Sequence, residues 1–335
     1  TRKVLQAGKH VLLRALAGVL SWRDVRSNGK SLALAGICGL LFSAIFACTT
    51  PQAFAAPAAP WHSSSYYVTS TNTTTAYNHG KSQAAADASH GSNSLVVLAF
   101  GAQVNASTVD NWGAGNISNG TVEAVAEAFA HGYKDGGNSA TTLELSIGTN
   151  NSVDPGSSST GSAWAHVAAA VQSYDQSHGY ASQVVVLGGN DIEPSWGGAN
   201  SWSPGEAWAS GYSGAGSGTL YVDFGSADGC PTNATNDAAC NNGWHQFGLW
   251  DVSWGSSAAV ALPQIYSNTM ALQWQQISLY GYLHQSGRSI GFWGSMATPA
   301  YLGPATAWTD FWNALHSDSR TSTSLPYSTS IDWTW

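Results

Sequence analysis

Val184-Val185-Val186-Leu187-Gly188-Gly189-Asn190-Asp191-Ile192-Glu193-Pro194-Ser195-Trp196 is the stretch that decides the fold of this chain. Its first four residues are apolar at every position, the pattern of a strand buried on both faces, as in a parallel sheet. Gly188, Gly189 and Pro194 are expected to end that strand. Residues two apart on an extended segment point to the same side. Asp191 and Glu193 are therefore expected to project together from the strand's carboxyl end. The competing reading makes them caps for a following helix, but Pro194 to Gly198 reads as a loop and Ser203 is the better N-cap.

Seven further apolar runs flank this strand: Tyr66–Thr69, Leu95–Phe100, Thr141–Ile147, Leu220–Phe224, Val260–Ile265, Ile290–Trp293 and Ser328–Trp333. The strand itself spans Gln183–Leu187. Helical spacing falls between them, at Thr121–Tyr133, Ala163–Ser177, Pro204–Tyr212, Met270–Gln285 and Ala305–His316. Trp244, Phe247, Asp251 and Trp254 step by three or four and read as helix, with a strand as the alternative. Eight strands alternating with helices predict an α/β fold, a single (β/α)8 TIM-type barrel with the last helix missing. An open doubly wound sheet is the other architecture, and no G-x-G-x-x-G follows the first strand to favour it.

Residues 1–55 read as a secretory signal peptide. Arg2, Lys3, Lys9, Arg14, Arg23, Arg26 and Lys30 face only Asp24, an uncharged run follows from Leu32 to Ala47, and Ala53-Phe54-Ala55 is a small-x-small cleavage site. The apolar run falls short of the roughly 20 residues of a membrane span. The expected product begins at Ala56, with an Ala/Pro/Ser linker over 56–65 and the barrel over 66–335. It would be secreted, extracellular or cell-wall associated, with no membrane contact after cleavage. Of the 11 lysines and arginines, only Lys81, Lys134, Arg288 and Arg320 lie beyond the leader, while every carboxylate but Asp24 does. So acidic a surface excludes nucleic acid as a partner. Cys230 and Cys240 are a lone close pair in an exported chain and are expected to form a disulfide.

In a barrel the chemistry sits at the carboxyl ends of the strands. Those ends offer Asn72, Gln103, Asp191 with Glu193, Asp223, Gln264 with Tyr266, Trp293, and Asp332 with Trp333; Trp196 follows the Asp-x-Glu pair. Glu193, Asp191, Asp332 and Asp223 are the catalytic candidates. Asn72, Gln264, Tyr266, Trp196, Trp293 and Trp333 are the candidates for holding substrate. Carboxylates, amides and aromatic faces are what a sugar site uses. Asp223 has an equal structural reading, bonding the loop tied by Cys230 and Cys240. Glu144 alternates with Leu143 and Leu145 and is expected inside the barrel. The 10 histidines form no H-x-H or H-x-x-x-H pattern, so no metal site and no cofactor is expected. No G-x-S-x-G is present for a serine hydrolase.

The Asp-x-Glu at the fourth strand, the Asp at the eighth, Gln264-Ile265-Tyr266 closing another strand and the secreted barrel together resemble the family 25 glycoside hydrolases, lysozymes that cut the glycan of peptidoglycan. The pair is also similar to part of the family 18 chitinase motif, whose fuller D-x-x-D-x-D-x-E is absent. The resemblance implies an enzyme acting on an N-acetylated polysaccharide such as peptidoglycan. It implies Glu193 as general acid, Asp191 orienting the 2-acetamido group or a water, and Asp332 in support. One departure stands out: the family places an Asp at the end of strand 1, where this chain has Val68-Thr69-Ser70-Thr71-Asn72. The alternative is a non-catalytic barrel that binds wall glycan or calcium through the same acidic mouth.

Overall fold

A computed structural model describes residues 55–150, 157–194, 202–332 and Trp335. In chain order its elements are β1 (Ser63–Tyr67), α1 (Thr73–His90), β2 (Ser94–Asn105), β3 (Thr108–Asn111), β4 (Gly115–Ser118), α2 (Asn119–Gly136), β5 (Leu143–Asn150), α3 (Ser158–Ser177), β6 (Val184–Asp191), α4 (Ser203–Gly214), β7 (Tyr221–Asp223), α5 (Gln246–Trp250), β8 (Ala259–Ala261), α6 (Asn268–His284), β9 (Gly294–Ala297), α7 (Pro304–His316) and β10 (Tyr327–Asp332). Eight parallel strands follow the order β8-β7-β6-β5-β2-β1-β10-β9. The barrel nearly closes between β8 and β9. There Gln264 bridges Met296, and the Ile265 N–H donates to the Met296 carbonyl at 2.8 Å. This is the TIM-type barrel the alternation predicts, with seven α-helices among the described residues.

Two apolar cores follow from the alternation of each strand. Leu95, Val97 and Ala99 of β2 fill the barrel with Leu187, Val222, Val260, Met296 and Ile331. Val96, Leu98 and Phe100 of the same strand pack outward against the helices with Val184, Val186, Phe129 and Trp164. Both faces of β2 are buried from Ser94 to Gln103, which is why Leu95 to Phe100 reads as an unbroken apolar run.

The glycines of the deciding stretch do not end its strand: β6 runs through both of them to Asp191. They are small because neighbours come close. A methyl on Gly188 would lie 2.4 Å from the Tyr212 hydroxyl, and one on Gly189 would lie 2.4 Å from Ser146 Oγ. Three other expectations are corrected. β1 begins at Ser63, inside the stretch expected as linker, because its serines bond within the barrel: Ser65 Oγ pairs with Thr329 Oγ1 at 2.7 Å and accepts the Val97 N–H at 2.8 Å. Strand β9 lies just after the predicted Ile290–Trp293, so Trp293 precedes the strand instead of closing it. Ser203 is the first residue of α4, and Trp202 stands at the cap position without a side-chain capping bond. The segment expected as helix is helical from Gln246, α5 running into a π-helical turn over Asp251–Gly255, while Trp244 and His245 are extended.

Helix α1 and the antiparallel hairpin β3–β4 carry no apolar period and were not expected. The buried face of α1 is Ala76, Gly80, Gln83, Ala84 and Asp87. It is held by a buried carboxylate. Asp87 accepts bonds from Gln83 Nε2 at 2.7 Å, Ser94 Oγ at 2.6 Å and Tyr133 Oη at 2.7 Å. The hairpin is pinned by Asn111, whose amide donates to the Val68 carbonyl at 2.7 Å and the Phe100 carbonyl at 2.8 Å. Asp87→Ala strands three donors, and burying each without a partner costs about 1–3 kcal/mol. Urea unfolding should show a loss of at least about 3 kcal/mol; a loss under about 1 kcal/mol would show that the network does not hold α1.

Candidate functional site

The carboxyl ends of the strands surround a cavity of about 490 Å³ lined by Tyr67, Asp191, Glu193, Ser226, Asp228, Gln264, Tyr266, Met270, Thr298, Tyr301 and Ile331. Asp191 closes β6 and is buried; Gln264 Nε2 donates to its Oδ1 at 3.0 Å. Glu193 lies two residues on and is also buried, with the Ser226 N–H donating to its Oε2 at 2.9 Å. The Asp-x-Glu spacing thus delivers both groups to one cavity, as the strand geometry requires.

Asp223 ends β7 and is buried, but it is not among the residues that line the cavity. It accepts the N–H of Ile192 at 3.3 Å, the N–H of Gly225 at 3.3 Å and the hydroxyl of Ser253. Ile192 is the residue between Asp191 and Glu193. Asp223 therefore fixes the backbone that spaces the pair, and these bonds do not reach the loop tied by Cys230 and Cys240.

No lysine or arginine lines the cavity among the described residues. Burial comes first in every shift. It raises Glu193 from the ordinary 4.5 to about 7, with the Ser226 bonds opposing and the charges of Asp228 and Asp223 adding. It raises Asp223 from 3.8 to about 7 against the bonds from Ser253, Gly225 and Ile192. It pushes Asp191 well above the carboxylate range, and the charge of Glu193 adds to that. The phenols of Tyr67 and Tyr266 are raised by burial too; Asp191 and Glu193 contribute to both.

Of the other expected residues, Gln264 and Tyr266 are at the cavity. Asn72 is not: its side chain caps α1, accepting from Thr74 N at 2.9 Å and Thr75 N at 3.2 Å. Trp293 is at the opposite, amino-terminal end of the barrel, beside Glu144 and Leu220. Gln103 is buried and bonds Trp208 and the Thr160 carbonyl. Trp196 and Trp333 lie outside the described residues. Asp332 ends β10 in register with Tyr66, and only its backbone is described. Cys230 and Cys240 form the expected disulfide. Among the described residues no group of three or more His, Cys, Asp or Glu is placed to hold a metal ion.

Sequence reading missed Tyr67, Thr298 and Tyr301. Tyr67 is the last residue of β1, two positions before the expected end of that strand. Thr298 and Tyr301 follow the strand whose position was misjudged. Tyr301 is 74% exposed and its ring sits 5.6 Å from that of Tyr266, so the two form an aromatic rim.

No family model, curated protein or solved structure matches this chain. The reading of the site therefore rests on its geometry.

The raised values set a pH dependence. A carboxyl whose folded pKa exceeds its unfolded one stabilises the fold fully below the unfolded value, and that contribution is lost as pH rises through the folded value. Glu193 and Asp223 titrate near 4 unfolded and near 7 folded. The melting temperature should fall between about pH 4.5 and pH 7, and Glu193→Gln should flatten the slope. A melting temperature that climbs across that window in the wild type would contradict the assigned burial.

The disulfide holds the loop that carries Asp228. The Asn241 N–H donates to the Asp228 carbonyl at 3.1 Å, and Gln273 Nε2 to the Cys230 carbonyl at 2.8 Å. Closing so short a loop contributes roughly 2–3 kcal/mol. After reduction, hydrogen exchange should quicken over residues 226–244 while β6 amides stay protected. Equal loss in both would mean that the bridge supports the barrel as a whole.

Proposed function

We propose that the mouth is a glycan-hydrolysing site acting on an N-acetylated polysaccharide such as peptidoglycan, outside the cell, with Glu193 as the general acid. The observation that carries this is a carboxyl kept protonated to about neutral pH by burial, on the wall of a cavity rimmed by tyrosines. Glycoside cleavage needs a proton on the leaving oxygen and negative charge near an oxocarbenium-like carbon. Glu193 supplies the proton. Asp191 and Asp228 are the other carboxyls at the cavity. Asp191, held through Gln264, is suited to orient an acetamido group or the attacking water. The proton of Glu193 goes to the departing sugar oxygen as the glycosidic bond breaks, water adds to the anomeric carbon, and the proton that water gives up restores the Glu193 carboxyl. Tyr266 and Tyr301 offer ring faces to the apolar side of a pyranose.

The likeness to the family 25 lysozymes supports this reading through the Asp-x-Glu pair alone. A second reading, glycan binding without cleavage, is favoured by one observation: strand β1 ends in Tyr67, a phenol whose proton is held tightly, where the resemblance would place a carboxylate.

The test compares wild type, Glu193→Gln and Asp191→Asn on one chitooligosaccharide or wall-glycan fragment, for binding and for reducing-end release. Glu193→Gln should bind normally and lose turnover by roughly 10²–10⁴-fold, the usual contribution of general acid–base catalysis. Wild type that binds without releasing reducing ends selects the second reading. Equal cleavage by wild type and Glu193→Gln removes Glu193 from the chemistry.

A further inference from the structure

The other end of the barrel holds a larger opening. Strand β7 starts in register with Gly188, so Val184 to Leu187 of β6 have no strand on that side. A side chain fills part of the gap: the Val186 N–H donates to Gln172 Oε1 at 2.9 Å. The wall is open below, and a cavity of about 710 Å³ runs from α3 through the gap to the barrel floor. Its size lies within the roughly 300–1,000 Å³ of ligand sites. Val185, which lines this gap, is 43% exposed in consequence.

The lining has an apolar wall, Val184 to Leu187 with Leu220, and a polar one. Gln172, Ser173 and Gln176 come from one face of α3, Ser217 and Thr219 from the facing loop, and Trp293 and Glu144 from the barrel floor. Glu144 Oε2 is buried with no hydrogen-bond partner, an unmet acceptor or donor in a polar chamber. The rings of Trp293 and Tyr327 are 6.3 Å apart beside it. Among the described residues no cation lines the cavity, so nothing there compensates an anionic ligand. Neutral amides and hydroxyls, one carboxyl and one indole face are suited to an uncharged polyhydroxylated ring with an apolar side.

We propose that this amino-terminal cavity is a second binding site, for a neutral sugar, with Trp293 stacking on the ring and Glu144 bonding a hydroxyl. It does not depend on the chemistry of the mouth. A mouth that cuts and a floor that only holds would let the protein grip glycan at two places.

Calorimetric titration of the chain from Ala56 with cellobiose and with diacetylchitobiose tests it. Two variants accompany wild type: Trp293→Ala and Ser173→Trp. Ser173 lies on the exposed face of α3, so Ser173→Trp blocks the cavity without disturbing the core. Binding of at least one disaccharide should weaken tenfold or more in Trp293→Ala and in Ser173→Trp. Failure of both sugars to bind wild type overturns the inference. So does binding that Ser173→Trp leaves intact; that result places the sugar elsewhere and leaves the mouth's role to be judged by reducing-end release.

Discussion

A carboxyl group taken out of water with no cation beside it has two recourses: neutral donors, or a retained proton. The whole mouth of this barrel is arranged around that constraint. Asp191 leans on the Gln264 amide, Glu193 on the Ser226 N–H, and Asp223 on Ile192, Gly225 and Ser253. None of these donors carries charge, so burial outweighs them and the groups stay protonated far above the usual range. The donors also join elements. Gln264 sits at the seam where the barrel closes, and Asp223 holds the backbone between the two acids. The same bonds that partly offset the cost of burial therefore fix the relative positions of β6, β7 and the closing edge.

Much of the barrel was legible in the sequence, because a strand buried on both faces must be apolar throughout. Val184 to Leu187 and Leu95 to Phe100 read as strands for that reason, and both are. What failed to read are elements whose burial is polar or small. Helix α1 hides Gln83 and Asp87 in a hydrogen-bond network and otherwise buries Ala and Gly, so no stripe appears at helical spacing. Strand β1 begins with serines that satisfy each other and the backbone inside the barrel, and Ser-rich sequence resembles linker. The paired glycines of β6 report close packing against Tyr212 and Ser146, and their sequence is indistinguishable from a turn.

The candidate site was legible where a strand end was correctly placed and lost where it was not. Asp191, Glu193, Gln264 and Tyr266 meet at one cavity because Asp191 closes β6 and the other three follow within a few residues of the ends of β6 and β8. Trp293 was misassigned because a shift of a few residues in β9 moves it from one end of the barrel to the other. Asn72 is a helix cap, and the asparagine side chain offers the same chemistry for capping as for sugar binding. Tyr67, Thr298 and Tyr301 carry no motif; their place depends on β1 and β9 ending where they do.

The central claim is that Glu193 keeps its proton near neutrality because burial, with the charges of Asp228 and Asp223 adding, outweighs the bonds from Ser226. Its side-chain carboxyl carbon, followed by ¹³C nuclear magnetic resonance from pH 3 to pH 9 in glutamate-labelled protein and assigned by its loss in Glu193→Gln, reports that proton directly. The account predicts a midpoint near 7. A midpoint at the ordinary glutamate value of about 4.3 would contradict it.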